Sequence, residues 1–370
     1  MLNSAVFRKY FLPGFVFQSV VIAGGYGTGR ELAEFFLPYG PLGGLIAMLG
    51  VSTVIWSAVC AASFEFSRFF KSYDYRQFFK HLLGRAGFLF EVIYFPLLMI
   101  VLAVIAAAAG TILQELFGAP YAVGVVGMMT AVGILVFRGS PAIERFLAGW
   151  SFVLYGMYVI FFIVCFRQFG DGIVSNLTSI EVGRGWLVGG VKYAAYNLAL
   201  IPAIPFCLRH IETRKEAVTA GILAGPIAII PGVLFYLCMT GQYPGIVDRP
   251  IPANYLLDLL GSRSLQIAFQ AVLFGTLIET GTGMIHGVNE RIAGAFKERN
   301  ESMPPNLRVS VALGLLIMGT LLSQFGIISL IAKGYGTLTW AFLIVFVLPI
   351  LTMGIWKLKR SNLRPTPAAT

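Results

Sequence analysis

The sequence predicts an all-α integral membrane protein, and three observations carry that prediction. Hydrophobic residues make up 57% of the 370 and charged residues only 12%, with a mean hydropathy of +0.81; a water-soluble domain of this length needs more charge to cover its surface. The apolar residues gather into ten runs, most of them near the length of about 20 residues that crosses a bilayer. The basic residues fall on alternate connections between those runs, the bias that sets membrane topology.

The first predicted span is Leu12 to Leu37, ended by Pro38 and Pro41. It follows the basic pair Arg8 and Lys9, as a signal peptide would. The expectation is nevertheless a retained segment, because Gly25-Tyr26-Gly27-Thr28-Gly29-Arg30-Glu31 follows the apolar run in place of a small-residue cleavage pattern. Span 2 is Leu42 to Phe66. The connection Arg68 to Arg85, with Phe69-Phe70 and Phe78-Phe79, suits a short helix lying on the membrane surface. Span 3 is Gly87 to Phe117, and its centre, Ala106 to Ala109, lets a neighbouring helix come close. Span 4 is Tyr121 to Phe137 and span 5 is Ala142 to Phe166, with a loop expected from Arg167 to Arg184.

Span 6 is Gly185 to Leu208, where Pro202 and Pro205 predict a break near Asn197 to Ile201. Span 7 is Ala217 to Thr240. A short helix is expected near Ala253 to Leu260. Span 8, Leu265 to Phe296, is followed by span 9, Leu307 to Leu322. Ile327 to Ala332 reads as a connecting helix, and span 10 is Leu338 to Trp356. The cysteines Cys60, Cys165, Cys207 and Cys238 are scattered singly, without metal-type spacing, and read as small buried hydrophobes.

Ten spans put both termini on one side. That side carries 20 of the 27 Lys and Arg, the other carries 5, and Arg30 and Lys192 fall within spans. The termini are therefore expected in the cytoplasm. The net charge of +10 is a topology signal and an attraction to anionic lipid, with no nucleic-acid footprint.

Two spans are anomalous. Span 1 carries Ala23-Gly24-Gly25-Tyr26-Gly27-Thr28-Gly29-Arg30-Glu31 in its middle, four glycines in six residues and then two charges. Broken backbone at membrane depth survives only where it is buried in protein or lines a polar cavity. Span 6 breaks five spans later. Five plus five spans, each half opening on a broken helix, is the pattern of an inverted repeat, with repeat one at about 11–167, repeat two at about 185–357 and a tail at 358–370. In such folds the solute sits between the discontinuous helices. Gly24, Gly25, Tyr26, Gly27, Thr28 and Gly29 at the first break, with Tyr193, Tyr196 and Asn197 at the second, are the candidate solute-binding residues.

Glu279, mid-span in Glu279-Thr280-Gly281-Thr282-Gly283, is a carboxyl at membrane depth. Such a group is costly and faces a cavity or a partner. It is a candidate to carry a proton, or with Thr280 and Thr282 to supply oxygens to Na⁺. Arg30, Glu31 and Lys192 are candidate gating residues, with Glu31 or Glu34 pairing to Arg30 or Lys192. His286 reads as a hydrogen-bonded packing residue. Glu65, Glu91, Glu290 and Arg291 read as paired near the inner surface. No paired-His metal motif, phosphate loop or nucleophile elbow is present, so an enzyme is not expected, nor is a cofactor beyond H⁺ or Na⁺. Nothing in the sequence specifies an oligomeric state.

With these residues the chain resembles the YkvI-like family of bacterial membrane proteins. The resemblance rests on Gly24-Gly25-Tyr26-Gly27-Thr28-Gly29-Arg30-Glu31 with Phe35-Phe36, on Tyr196-Asn197-Leu198, and on the stretch from Glu279 through His286 to Arg291. That family is similar to the amino acid–polyamine–organocation superfamily, whose LeuT-type fold is a five-plus-five inverted repeat. The resemblance implies a bacterial cytoplasmic-membrane transporter working by alternating access. In Na⁺-coupled members one sodium lies between the span 1 break and span 8, which by position implies the carbonyls of Ala23, Gly24 and Gly27 with Thr280 and Thr282. Glu279 departs from that hydroxyl-only pattern and favours a proton. The expected activity is secondary transport of a small polar solute, an amino acid or a related amine or carboxylate. The alternatives are an ion channel, a solute sensor on a transporter scaffold and a metal-ion transporter.

Overall fold

Proline and glycine decide where the long apolar runs of this chain stop being regular helix. The computed structural model describes residues 4–22, 24–178, 182–201, 204–249, 251–322 and 336–362. Ala23, Pro202 and the connecting helix expected at Ile327 to Ala332 lie outside the described residues.

The first apolar stretch divides into α1 (Leu12–Val21), α2 (Gly24–Gly27) and α3 (Arg30–Phe35). After it come α4 (Pro41–Phe70), α5 (Tyr75–Leu83), α6 (Phe88–Phe117), α7 (Tyr121–Arg138) and α8 (Ser140–Thr178). The sixth stretch gives α9 (Trp186–Leu198) and then a tight 3₁₀ turn, Pro205–His210. The remainder is α10 (Arg214–Thr240), α11 (Pro252–Leu260), α12 (Arg263–Lys297), α13 (Pro305–Leu322) and α14 (Leu338–Arg360). Every described helix is α, π or 3₁₀, and the chain is an all-α, multi-span membrane protein.

Among the described residues, eight helices are long and apolar enough to cross a membrane. The sequence-based expectation is ten. The difference is the stretches 12–37 and 185–208, whose helices are too short: α1 has 10 residues and α9 has 13. The other visible departure is α8. The sequence predicts its end at Phe166, but it continues to Thr178, 39 residues or about 58 Å at 1.5 Å per residue. The extension is held by packing. Asn176 Nδ2 donates to Thr240 O at 2.8 Å at the end of α10, satisfying a carbonyl that a helix terminus leaves over.

Helix starts follow local chemistry. Asp74 caps α5 by accepting from Gln77 N at 2.9 Å, which fixes the predicted surface helix. Thr213 and Glu216 form a reciprocal capping box at the start of α10, with Glu216 N to Thr213 Oγ1 at 3.2 Å and Thr213 N to Glu216 Oε2 at 3.0 Å. Inside α10, Pro226 and Pro231 cannot donate to the carbonyls four residues back. Ser57 of α4 donates to Ile222 O at 2.9 Å, and Tyr155 of α8 donates to Ile227 O. Both orphaned acceptors are thus filled by hydroxyls from neighbouring helices, as apolar surroundings require.

Small residues bring the helices together. A Cβ at Gly124 of α7 would lie 2.2 Å from Ala109 O, so the alanine-rich centre of α6 is where α7 comes close. A Cβ at Gly225 of α10 would lie 2.2 Å from Ser57 Oγ, and one at Gly221 would lie 2.3 Å from Ala61 Cα. The α4–α10 contact is the most extensive in the molecule. At the centre stands α12, touched by α1, α6, α7 and α8. The four cysteines are buried and free. Large apolar side chains such as Val126, Ile160, Leu321 and Ile344 face outward, which suits a lipid surround.

Candidate functional site

The middle of α12 carries Glu279, fully buried against the end of α1. Its Oε1 accepts from Ser19 Oγ at 3.0 Å. The same hydroxyl lies 2.9 Å from Phe15 O, 3.2 Å from Leu147 O and 3.1 Å from Ser151 Oγ on α8. Ser19 has one proton to give and Ser151 donates to Leu147 O at 2.8 Å, so acceptors outnumber donors. Glu279 Oε2 has no hydrogen-bond partner among the described residues. A buried cluster short of donors is a place for a proton on the carboxyl or for a small cation.

One residue along, Thr280 Oγ1 lies 3.1 Å from Ser19 O and 3.3 Å from Ile22 O, and donates to them. These carbonyls belong to the last turn of α1, where the helix leaves acceptors unfilled. The sequence singled out Glu279 and Thr280, and the structure brings them to α1. It does not bring Thr282, whose buried hydroxyl has no partner: two residues along a helix turn a side chain about 200° away. Nor does it bring Gly27, which leans on Leu273 and Thr276, one to two helical turns from Thr280. Ala23 is not described. Ser19, Ile22 and Ser151 were missed. Ser19 and Ser151 are each the single serine of spans 1 and 5, and Ile22 offers only its backbone carbonyl.

The glycine-rich stretch is folded against three neighbours. Gly24 and Gly25 begin α2. Tyr26 is fully buried, and its hydroxyl donates to Ala228 O at 3.2 Å, so the ring anchors α2 to α10 rather than closing over a ligand. Thr28 is buried and its carbonyl accepts from Ala253 N at 3.0 Å, which seats α11 over the turn. Gly29 has φ +82°, a left-handed conformation natural to glycine; a Cβ there would lie 2.9 Å from the Phe235 ring and 3.1 Å from Pro252 Cβ.

Beyond it, the charges take one of the expected pairings. Arg30 pairs with Glu34 at 2.7 Å and donates to Val247 O at 2.9 Å and Arg249 O at 3.1 Å. Glu31 turns inward, is 1% exposed, and accepts from the Tyr196 hydroxyl. Lys192 is half-buried and joins no ion pair among the described residues. Tyr193 packs edge-on to Phe36 at 4.7 Å between ring centroids. Asn197 Nδ2 donates to Tyr193 O at 3.0 Å, closing on its own helix. The two breaks are thereby joined through Glu31 and Tyr196.

No protein-family model matches the chain. The uncharacterized membrane protein YkvI of Bacillus subtilis (strain 168) is 23% identical over 337 residues, covering 89% of this chain and 92% of that protein. MhsT, solved in complex with L-phenylalanine, superposes with a TM-score of 0.67 at 19% identity, over 96% of this chain and 92% of its own. Mhp1, a nucleobase-cation-symport-1 family transporter solved in a closed conformation with bromovinylhydantoin bound, gives 0.66 at 12% identity, over 95% and 78%. The chain shares their fold. The expected LeuT-type architecture is met at that level.

Within this fold the two ends of the bundle differ. At the end carrying Lys9, ion pairs tie separate helices: Lys9 to Glu212 and Glu216, Arg291 to Glu91, and Glu290 to both Arg209 and Arg308. Glu65 pairs with Arg68. His286 packs edge-on to Phe206 at 4.6 Å and lies 3.1 Å from Ser140 Oγ, as a packing histidine should. A cleft of about 570 Å³ opens there, lined by Lys71, Asp74, Arg209, Glu290 and Lys297 among others. At the opposite end, Asn254 of α11 donates to Glu115 Oε2 at 2.6 Å and accepts from Gln270 Nε2 at 2.5 Å, clamping α11 to α6 and α12. Asn254→Ala is expected to cost about 1–3 kcal/mol of that closure. The readout is faster labelling of a Thr28→Cys reporter by a membrane-impermeant thiol reagent, against the quiet background of four buried native cysteines. Unchanged labelling would show that the clamp holds nothing shut.

Proposed function

We propose that this chain is a secondary active transporter of a small polar solute, an amino acid or a related amine or carboxylate, working by alternating access in a bacterial cytoplasmic membrane. The observation that carries the reading is the buried cluster of Glu279, Ser19, Ser151 and Thr280 at the end of α1. An ionisable group at that depth, joining three helices, is where binding of an ion can change how those helices pack. The fold shared with Mhp1, a cation-symport-family transporter, supports it.

In this reading α1 to α3 form one discontinuous span and α9 with Pro205–His210 forms the other, giving ten spans in two inverted repeats, at about 11–167 and 185–357. Both termini and the 358–370 tail are cytoplasmic. The solute site lies between the breaks, at Gly24, Gly25, Tyr26, Gly27, Thr28, Gly29, Tyr193, Tyr196 and Asn197. Arg30, Glu31 and Lys192 act at the external gate. Glu279 and Thr280, with the carbonyls of α1, hold the coupling H⁺ or Na⁺. The conformation is then closed outside, with α11 clamped over Thr28, and carries the cleft of about 570 Å³ on the cytoplasmic side.

The test is transport by purified protein in proteoliposomes, after a thermal-shift screen with amino acids, amines, carboxylates, nucleobases and divalent metals as probes; a ligand of the folded state raises its melting temperature. A transporter shows saturable uptake and counterflow. Conductance without counterflow would establish a pore, and binding with no flux would establish a sensor. A metal-ion transporter gains no support from the described residues, which hold no group of three or more His, Cys, Asp or Glu placed for a metal.

A further inference from the structure

Glu31 carries a carboxyl group 1% exposed that, among the described residues, has one hydrogen-bond partner, the Tyr196 hydroxyl. Among the described residues it forms no ion pair. Its neighbour Arg30 is turned away to Glu34, and Lys192 does not reach it. A lone buried carboxylate costs several kcal/mol unless a positive charge meets it. What surrounds it is aromatic. Phe35, one helical turn on from Glu31, stacks on Tyr196 at 5.4 Å between centroids and lies 5.8 Å from Tyr193. Tyr193 is 5.5 Å from Trp56 and 5.6 Å from Tyr196, and its buried hydroxyl has no hydrogen-bond partner. The faces of such rings attract cations, and rings gathered around a carboxylate favour an organic ammonium.

We propose that the solute carries a positively charged amine and that Glu31 receives it, with Phe35, Tyr193 and Tyr196 around the ammonium group. This rests on the transport reading above and names its substrate class. The Tyr196–Glu31 hydrogen bond is the contact the ammonium replaces, so arrival of the solute frees the link between α3 and α9. An inorganic cation or a bare proton would answer the charge alone. An organic ammonium answers both the charge and the rings.

The experiment uses the full chain in detergent and reads thermal unfolding and tryptophan fluorescence. The probes are choline, putrescine and L-lysine, with 3,3-dimethylbutan-1-ol as the uncharged isostere of choline and succinate as an anion. The ammonium probes are expected to stabilise the protein at millimolar concentration, and the alcohol and succinate are not. Glu31→Gln keeps the size and the acceptor for Tyr196 and is expected to weaken ammonium binding about 100-fold. Glu31→Asp restores part of it. Phe35→Leu leaves the carboxylate and weakens choline more than putrescine. The proposal is overturned if the alcohol binds as well as choline, if Glu31→Gln keeps the wild-type affinity, or if no ammonium probe binds. Should Glu31→Gln not elute as a folded monodisperse species, the Phe35→Leu comparison and the isostere pair decide the matter. Failure here is distinct from failure of the transport reading. Counterflow of neutral or acidic solutes alone sinks the amine and keeps the transporter. Saturable ammonium binding without flux does the reverse.

Discussion

Reconstituted Glu279→Gln protein is expected to move solute without concentrating it. The substitution keeps the volume of a fully buried side chain and keeps an oxygen for Ser19 Oγ, so α1, α8 and α12 hold their packing. It removes the group proposed to take up a proton or anchor a cation. Coupling between an ion and a solute is a free energy shared between two binding events. With the ion's site gone, the gradient has nothing to act through. The accumulation ratio in proteoliposomes should fall from the value set by the gradient to about 1, while counterflow of preloaded solute persists. Wild-type accumulation on a pH gradient in sodium-free buffer identifies H⁺; accumulation only on a sodium gradient identifies Na⁺. Undiminished gradient-driven accumulation by the variant would remove Glu279 from the coupling machinery.

The second large effect is expected at Gly29, where two penalties coincide. Its φ of +82° costs an L-residue about 1–2 kcal/mol. A Cβ would also lie within 3.1 Å of the Phe235 ring and of Pro252, overpacking worth about 1–3 kcal/mol. Gly29→Ala should therefore melt several degrees below wild type and lose most of its uptake, because the turn it distorts seats α11 over Thr28. Gly27→Ala is the matched control. Its Cβ would meet the mobile end of Leu273, at Cδ1, which can rotate aside. Melting curves for the pair decide the point, since Gly27 itself lies in the proposed solute site. Equal behaviour of the two variants would mean that Gly29 is an ordinary surface turn.

Much of this was legible from residues alone, because a bilayer narrows the choices. Apolar run length and the placement of Lys and Arg gave the spans. The glycine run and the paired prolines marked the segments whose helices are short. Glu279 and Thr280 stood out as polar groups at membrane depth. What the chain could not disclose in one dimension was partnership. Ser19 and Ser151 are 132 residues apart, and each is an unremarked serine until α1 and α8 meet. Thr282 looked equivalent to Thr280 because adjacency in sequence hides rotation about the helix. Tyr26 stood out only as a solute-binding candidate, and the position of Ala228 O shows that it also anchors α2. The sequence left Glu31 and Glu34 as equal partners for Arg30; the left-handed turn at Gly29 starts a helix that pairs Arg30 with Glu34 and sends Glu31 to the interior. The extension of α8 past Phe166 is a tertiary effect, since Asn176 finds its acceptor on another helix.

The close approach of α4 and α10 bears on how such a molecule can move. At Gly221 backbone meets backbone, at Gly225 only the Ser57 hydroxymethyl intervenes, and that hydroxyl fills the orphaned Ile222 carbonyl of α10. Sliding one helix along the other would drive backbone into backbone, and prising them apart would leave the Ile222 oxygen facing hydrocarbon. The two helices therefore travel as a single plank. Changes of shape in this protein are then expected at the joints around that plank, near Gly24–Gly29 and just after Leu198, so residues proposed to meet the solute would also bear the bending.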